Sequence, residues 1–77
     1  MALIAQINES EVTDVTGEVP AGCLFASFKN TGSVDLTVNG FTIEPGDTKT
    51  YPFLGKAYPT IGYVVSDQTT LAIMYIS

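Results

Sequence analysis

The chain has 77 residues and a formal charge of −5, from eight acidic residues and three lysines, with no arginine or histidine. A lone cysteine, Cys23, excludes an intrachain disulfide, and the missing histidines remove the commonest ligands of a structural zinc. Lys29, Lys49 and Lys56 are scattered, so no basic cluster exists to neutralise phosphates, which speaks against nucleic acid and an anionic membrane surface as partners.

The hydrophobic share is 45% and the charged share 14%, against about 25% charged in an ordinary soluble domain. A single core in a chain of this length supplies only about 3–5 kcal/mol. With disulfide and zinc gone, self-association or packing in an assembly is the support that remains; the alternative is a monomer with a surface rich in Thr, Ser and Asn. Residues 1–6, Met-Ala-Leu-Ile-Ala-Gln, have neither the basic start nor the apolar length of a signal peptide, so synthesis in the cytoplasm is expected. No window reaches the ~18 apolar residues of a membrane helix. One β domain over residues 1–77 is the reading, with residues 1–20 forming, on one view, an N-terminal arm plus an edge strand.

In chain order, helical periodicity is absent, and short runs of Val, Ile, Thr, Phe and Tyr are broken by Gly, Pro, Asn and Asp every few residues. That pattern predicts an all-β fold, a small antiparallel β-sandwich or barrel of about six to seven short strands. Residues 2–7 read as a first strand. Residues 10–18 are polar, with Val12 and Val15 out of period 2, and fit a loop, an irregular edge strand or part of the arm. Pro20-Ala21-Gly22 turns the chain into a central strand over residues 23–29, with Leu24, Ala26 and Phe28 on one face and Phe25 opposite. Asn30-Thr31-Gly32-Ser33 reads as a reversal.

Val34, Leu36 and Val38 alternate with polar residues as a strand with one wet face should. Asn39-Gly40 predicts a type I′ hairpin into the short strand Phe41-Thr42-Ile43. Glu44-Pro45-Gly46-Asp47 predicts a type II turn, and the strand after it, from Thr48, reaches an edge or an end at Pro52. After a long connection over residues 54–60, residues 61–65 and 71–76 are expected to pair as a terminal hairpin. The last strand is apolar on both faces, so it belongs inside a sheet or against another subunit.

Catalytic chemistry has little to work with. Without histidine there is no Ser-His or Cys-His pair, and Cys23 has no basic neighbour in sequence, so it reads as a buried strand cysteine. Gly55-Lys56 lacks the earlier glycine and the following Ser or Thr of a phosphate loop. Glu9 with Glu11, and Glu44 with Asp47, are the carboxylate pairs that could hold calcium or serve a glycosidase; the plainer reading is solvated and turn-forming side chains. No enzyme activity, cofactor or metal is expected. Tyr51, Tyr58 and Tyr63 surround the long connection and are candidates for a sugar-stacking or interface patch. The competing reading puts Phe25, Phe28, Phe41 and Phe53 in the core, with the tyrosines capping its rim.

The Pro45-Gly46 turn and the residues after it resemble one strand-turn element of cupins, except that Thr48, Lys49, Thr50 and Tyr51 stand where cupins place metal-binding histidines. Residues 25–75 resemble small structural proteins of tailed bacteriophages, the capsid decoration and head-fibre modules. The matching residues are Phe28-Lys29-Asn30-Thr31-Gly32, Val34-Asp35-Leu36-Thr37-Val38-Asn39-Gly40, Glu44-Pro45-Gly46-Asp47-Thr48 and the final two strands. Bacterial Ig-like adhesion modules share the same turns but run longer, inside secreted chains.

The phage resemblance implies a trimeric or otherwise symmetric virion protein that binds the outside of a capsid or forms the base of a fibre, assembled in the bacterial cytoplasm. Its partners would be itself and a capsid or other virion protein. Leu71, Ile73, Met74 and Ile76 would then form the subunit interface, with Leu3 and Ile4 of the arm reaching a neighbour. A carbohydrate- or surface-binding module built on the three tyrosines is the second expectation.

Overall fold

The computed structural model describes residues 6–77. Eight strands follow one another: β1 (Ile7–Val12), β2 (Val15–Val19), β3 (Phe25–Asn30), β4 (Leu36–Val38), β5 (Phe41–Ile43), β6 (Thr48–Tyr51), β7 (Ile61–Val65) and β8 (Leu71–Ile76). They form two four-stranded antiparallel sheets, β1-β8-β3-β6 (sheet A) and β2-β7-β4-β5 (sheet B). Packed face to face, this is a β-sandwich, and the two strand orders, with consecutive strands changing sheet everywhere except at the β4–β5 hairpin, are those of an eight-stranded jelly roll.

The strand count exceeds the six to seven expected because residues 10–18 are not a loop. They hold the end of β1, a corner at Thr13 and Asp14, and all of β2 but its last residue, Val19. Val12 and Val15 break period 2 because the chain changes sheet between them: Asp14 takes φ 54, and both valines turn half-buried toward the core. The strand expected over residues 2–7 lies mostly outside the described residues, and Ile7 opens β1 rather than closing a strand.

The terminal hairpin is also corrected. β7 pairs with β2 and β4 in sheet B, whereas β8 lies between β1 and β3 in sheet A. Residues 66–70 arch from one sheet to the other. The two-faced β8 is an interior strand, so its backbone is paired on both sides.

Turn chemistry behaves as the residues require. Asn39 and Gly40 both have positive φ (51 and 79) and join Val38 to Phe41. Gly46 has φ 86, and the Asp47 amide donates to the Glu44 carbonyl across the turn (3.0 Å).

The core comprises Val19, Cys23, Ala26, Phe28, Leu36, Val38, Ile43, Ile61, Val65, Leu71 and Ile73. Phe28 is its only fully buried ring: Phe25 is half-buried on the outer face of sheet A, and Phe41 and Phe53 are exposed. Tyr51, Tyr58, Tyr63 and Tyr75 pack against the core instead. The expectation of four core phenylalanines therefore holds for one.

Asn30, the last residue of β3, is fully buried in phase with Ala26 and Phe28. Its side-chain nitrogen donates to the carbonyls of Val34 (2.8 Å) and Ile43 (2.9 Å), and its oxygen accepts from the Gly32 amide (3.0 Å) and the Thr69 hydroxyl (2.7 Å). Every hydrogen-bonding position of the amide is thus filled. Its backbone ties in the Glu44-Pro45-Gly46-Asp47 turn, donating to the Asp47 carbonyl and accepting from the Gly46 amide. The reversal expected at this residue begins one position later. Gly32 serves close approach: a Cβ there would fall on the backbone of Thr69 and Thr70.

Candidate contact surface

The alternation of strands gives the sandwich two unlike ends. At one end lie four of the six sheet-crossing connections, the arches at residues 13–14, 31–35, 44–47 and 66–70. They are polar and laced together, by Thr13 to Thr70 (2.9 Å), by the Asp14 amide to the Ser66 carbonyl (3.0 Å) and by Asn30. At the opposite end lie the β2–β3 link, the Asn39-Gly40 hairpin, the β6–β7 connection, the start of β1 and the finish of β8.

Exposed large apolar side chains collect at that second end. Ile7 is 66% exposed, Phe41 61%, Phe53 62% and Leu54 72%; the fifth, Val64, lies on the outer face of sheet B. Phe41 follows the hairpin directly, and Lys49 Nζ sits 4.7 Å from its ring centroid, close enough for a cation–π contact.

The pleat carries this apolar character onto sheet A. Strand register aligns Ile7, Ile76 and Phe25 in one outward row, then Glu9, Met74 and Ser27, then Glu11, Ala72 and Lys29. A shallow trough on this face is lined by Glu9, Glu11, Ser27, Lys29, Ala72 and Met74.

Of the residues expected at an interface, Met74 and Ile76 point outward here, half-buried. Leu71 (0% exposed) and Ile73 (4%) do not: they face the core and are unavailable to another subunit. Alternation along β8 is the reason, since two successive residues of a strand cannot share a face. Leu3 and Ile4 lie outside the described residues. Phe25, Phe53 and Leu54 were not among the expected contact residues; the signal of their exposure was an apolar side chain out of phase with the core or within the Pro-bounded connection.

The three tyrosines do not form one platform. Phe28 and Tyr51 meet edge to face with centroids 5.8 Å apart, and Tyr51 and Tyr58 likewise at 5.6 Å. The Tyr58 hydroxyl donates to the Pro52 carbonyl, pinning the connection. Tyr63 is elsewhere, lying across the strand from Gly17, where a Cβ would come within 2.9 Å of its oxygen. The Tyr51 hydroxyl is shut off without a partner among the described residues. Burial, the largest influence on it, pushes its pKa up.

Glu9 and Glu11 share the outer face of β1, while Glu44 and Asp47 flank an exposed turn at the other end. No three metal-ligating side chains cluster among the described residues. Cys23 is buried, and desolvation raises its pKa against a smaller opposing backbone hydrogen bond. The thiolate, the reactive form, is thereby disfavoured.

Compared with protein families, with curated proteins and with solved structures, the chain matches none.

Proposed function

We propose that this protein is a non-catalytic structural component of a tailed-bacteriophage virion, a capsid decoration or head-fibre part that works through protein–protein contacts. The observation that carries the reading is the gathering of Ile7, Phe41, Phe53 and Leu54, all more than half exposed, at one end of the sandwich. Isolated exposed apolar residues are ordinary, whereas four at the same end of so small a domain suit a contact site. The far end, tied by arches and polar, suits the outside of a particle.

Jelly-roll domains are common in viral shells, which supports the reading by analogy, although the same fold also serves lectins and cupins. The carbohydrate-binding alternative has less support, because Tyr51 and Tyr58 are packed edge to face and Tyr63 points into the core side.

The test is stoichiometry on particles. Phage particles banded on a density gradient should carry this chain in many copies each, measured by quantitative mass spectrometry against the major capsid protein. Fewer than about one copy per particle, with the chain left in the soluble fraction, would refute the structural role.

A further inference from the structure

The outer face of sheet A carries charge of both signs in a definite layout. Glu9 and Glu11 stand on β1, Lys29 stands on β3, and the intervening β8 contributes only Ala72, Met74 and Ile76. Glu11 and Lys29 occupy the same row two strand spacings apart, about 10 Å between Cα positions, with only the small Ala72 between them. All are accessible to a partner, with Glu11 and Lys29 exposed.

We infer that this face binds a second copy of the chain about a two-fold axis running along β8. Such an axis exchanges the β1 side of one copy with the β3 side of the other while keeping each row at its own height. Glu11 then meets Lys29 of the second copy, twice by symmetry. Ile7 meets Phe25, Ile76 meets Ile76, and Met74 meets Met74, whose unbranched side chain can fill the hollow above Ala72. The carboxylate of Glu9 meets the Ser27 hydroxyl. Sheets facing each other in this way pack about 10 Å apart with strands within about 30° of alignment, as in a sandwich interior.

The other in-plane axis, running across the strands, is excluded by the same layout. It would lay the apolar row of Ile7, Ile76 and Phe25 against the charged row of Glu11 and Lys29, burying charges without partners. A three-fold contact, as the phage resemblance implies, does not pair this face with itself; a self-complementary face is the mark of a two-fold.

The inference goes beyond the proposed function and adds to it. An axis parallel to the strands leaves both apolar ends pointing the same way, so a dimer presents Phe53, Leu54 and Phe41 twice on one side. Two weak footholds on a larger surface then act with the effective concentration of a linked pair.

With the axis along β8 the β6 strand overhangs, so three rows on three strands span only about 14 Å by 10 Å between Cα positions. The buried surface falls short of the roughly 800 Å² per partner of a standard interface, so dissociation in the micromolar range is expected.

Charge reversal tests the pairing. Glu11→Lys gives the face two cations in that row and Lys29→Glu gives it two anions, so each variant should repel itself. A mixture of the two should associate, because every cation then meets an anion. Sedimentation equilibrium from about 10 μM to 1 mM, in dilute salt, is the readout, with circular dichroism confirming that both variants fold.

The expected result is a wild-type dimer, each variant at least tenfold weaker, and recovery to within about threefold in the mixture. A wild-type mass that stays monomeric, or is trimeric, overturns the inference. So does a dimer indifferent to both reversals. Particle stoichiometry is measured separately, so loss of the dimer leaves the virion reading standing or falling on its own data.

Discussion

Replacing Asn30 by alanine should come close to unfolding the protein. The side chain is fully buried and makes four hydrogen bonds. Truncation orphans two of its partners in the interior, the Ile43 carbonyl and the Thr69 hydroxyl, at about 1–3 kcal/mol each. The Val34 carbonyl and the Gly32 amide are only part-buried, so water can replace their bonds and each costs nearer 0.5–1 kcal/mol. The sum is about 3–8 kcal/mol, as large as or larger than the ~3–5 kcal/mol that a core of this size supplies.

At about 4–8 °C per kcal/mol for a domain of this length, the melting temperature should fall by more than about 12 °C. Tyrosine fluorescence suits the assay because there is no tryptophan, and urea titration followed by far-ultraviolet circular dichroism gives the free energy. A loss under about 1 kcal/mol would refute the reasoning, since the amide would then be replaceable by solvent and the arches would not depend on it.

Other outcomes follow from the same packing. Gly32→Ala should cost about as much as Asn30→Ala, because the added methyl meets backbone that cannot swing away; equal melting temperatures for wild type and variant would contradict this. Gly17→Ala meets only the far end of the Tyr63 ring, so its cost in a urea titration should stay near the low end of the ~1–3 kcal/mol of overpacking. Ile73→Asp should leave no cooperative melt, whereas Met74→Glu, one residue on and facing outward, should keep the fold; similar melting of both would show that the faces of β8 are misassigned.

In an ultraviolet titration one tyrosine, Tyr51, should ionise above the ordinary range, because burial raises its folded pKa. The stabilising preference for the neutral phenol is present below the unfolded value of about 10 and is lost as pH rises through the folded value, so alkaline unfolding should shift upward in Tyr51→Phe.

Turns with local chemistry were legible from the residues alone. A type I′ turn needs positive φ at both central residues and a type II turn needs it at the third position, which Asn39, Gly40 and Gly46 supply, so the hairpin and the type II turn stand as read. Alternation likewise identified Leu36 and Val38 as core. What local pattern could not supply was sheet membership. The inward residues Val65 and Leu71 suit a hairpin and an arch equally, and the choice is made by distant partners, the Asn30 and Thr69 side chains among them.

Asn30 itself was misread because Asn before Thr-Gly suggests a wet turn. The available signal was its phase, two residues beyond Phe28 and four beyond Ala26. Ring size misled in the same way: phenylalanine count suggested core, yet only Phe28 has a strand position that faces inward with both sheets around it. For the contact surface, the two-faced β8 was legible but its faces were not separated, so Leu71 and Ile73 were grouped with Met74 and Ile76.

The claim that the chain acts through the outer face of sheet A and the apolar end beside it is tested most directly by amide chemical shifts. Two-dimensional NMR spectra of the isotope-labelled protein should be compared between about 50 μM and 1 mM. Shifts should move along β1, β3 and β8, from Ile7 to Glu11, Phe25 to Lys29 and Ala72 to Ile76, with β2, β4 and β7 still. Concentration-independent spectra, or changes centred on Val64 and the outer face of sheet B, would contradict it.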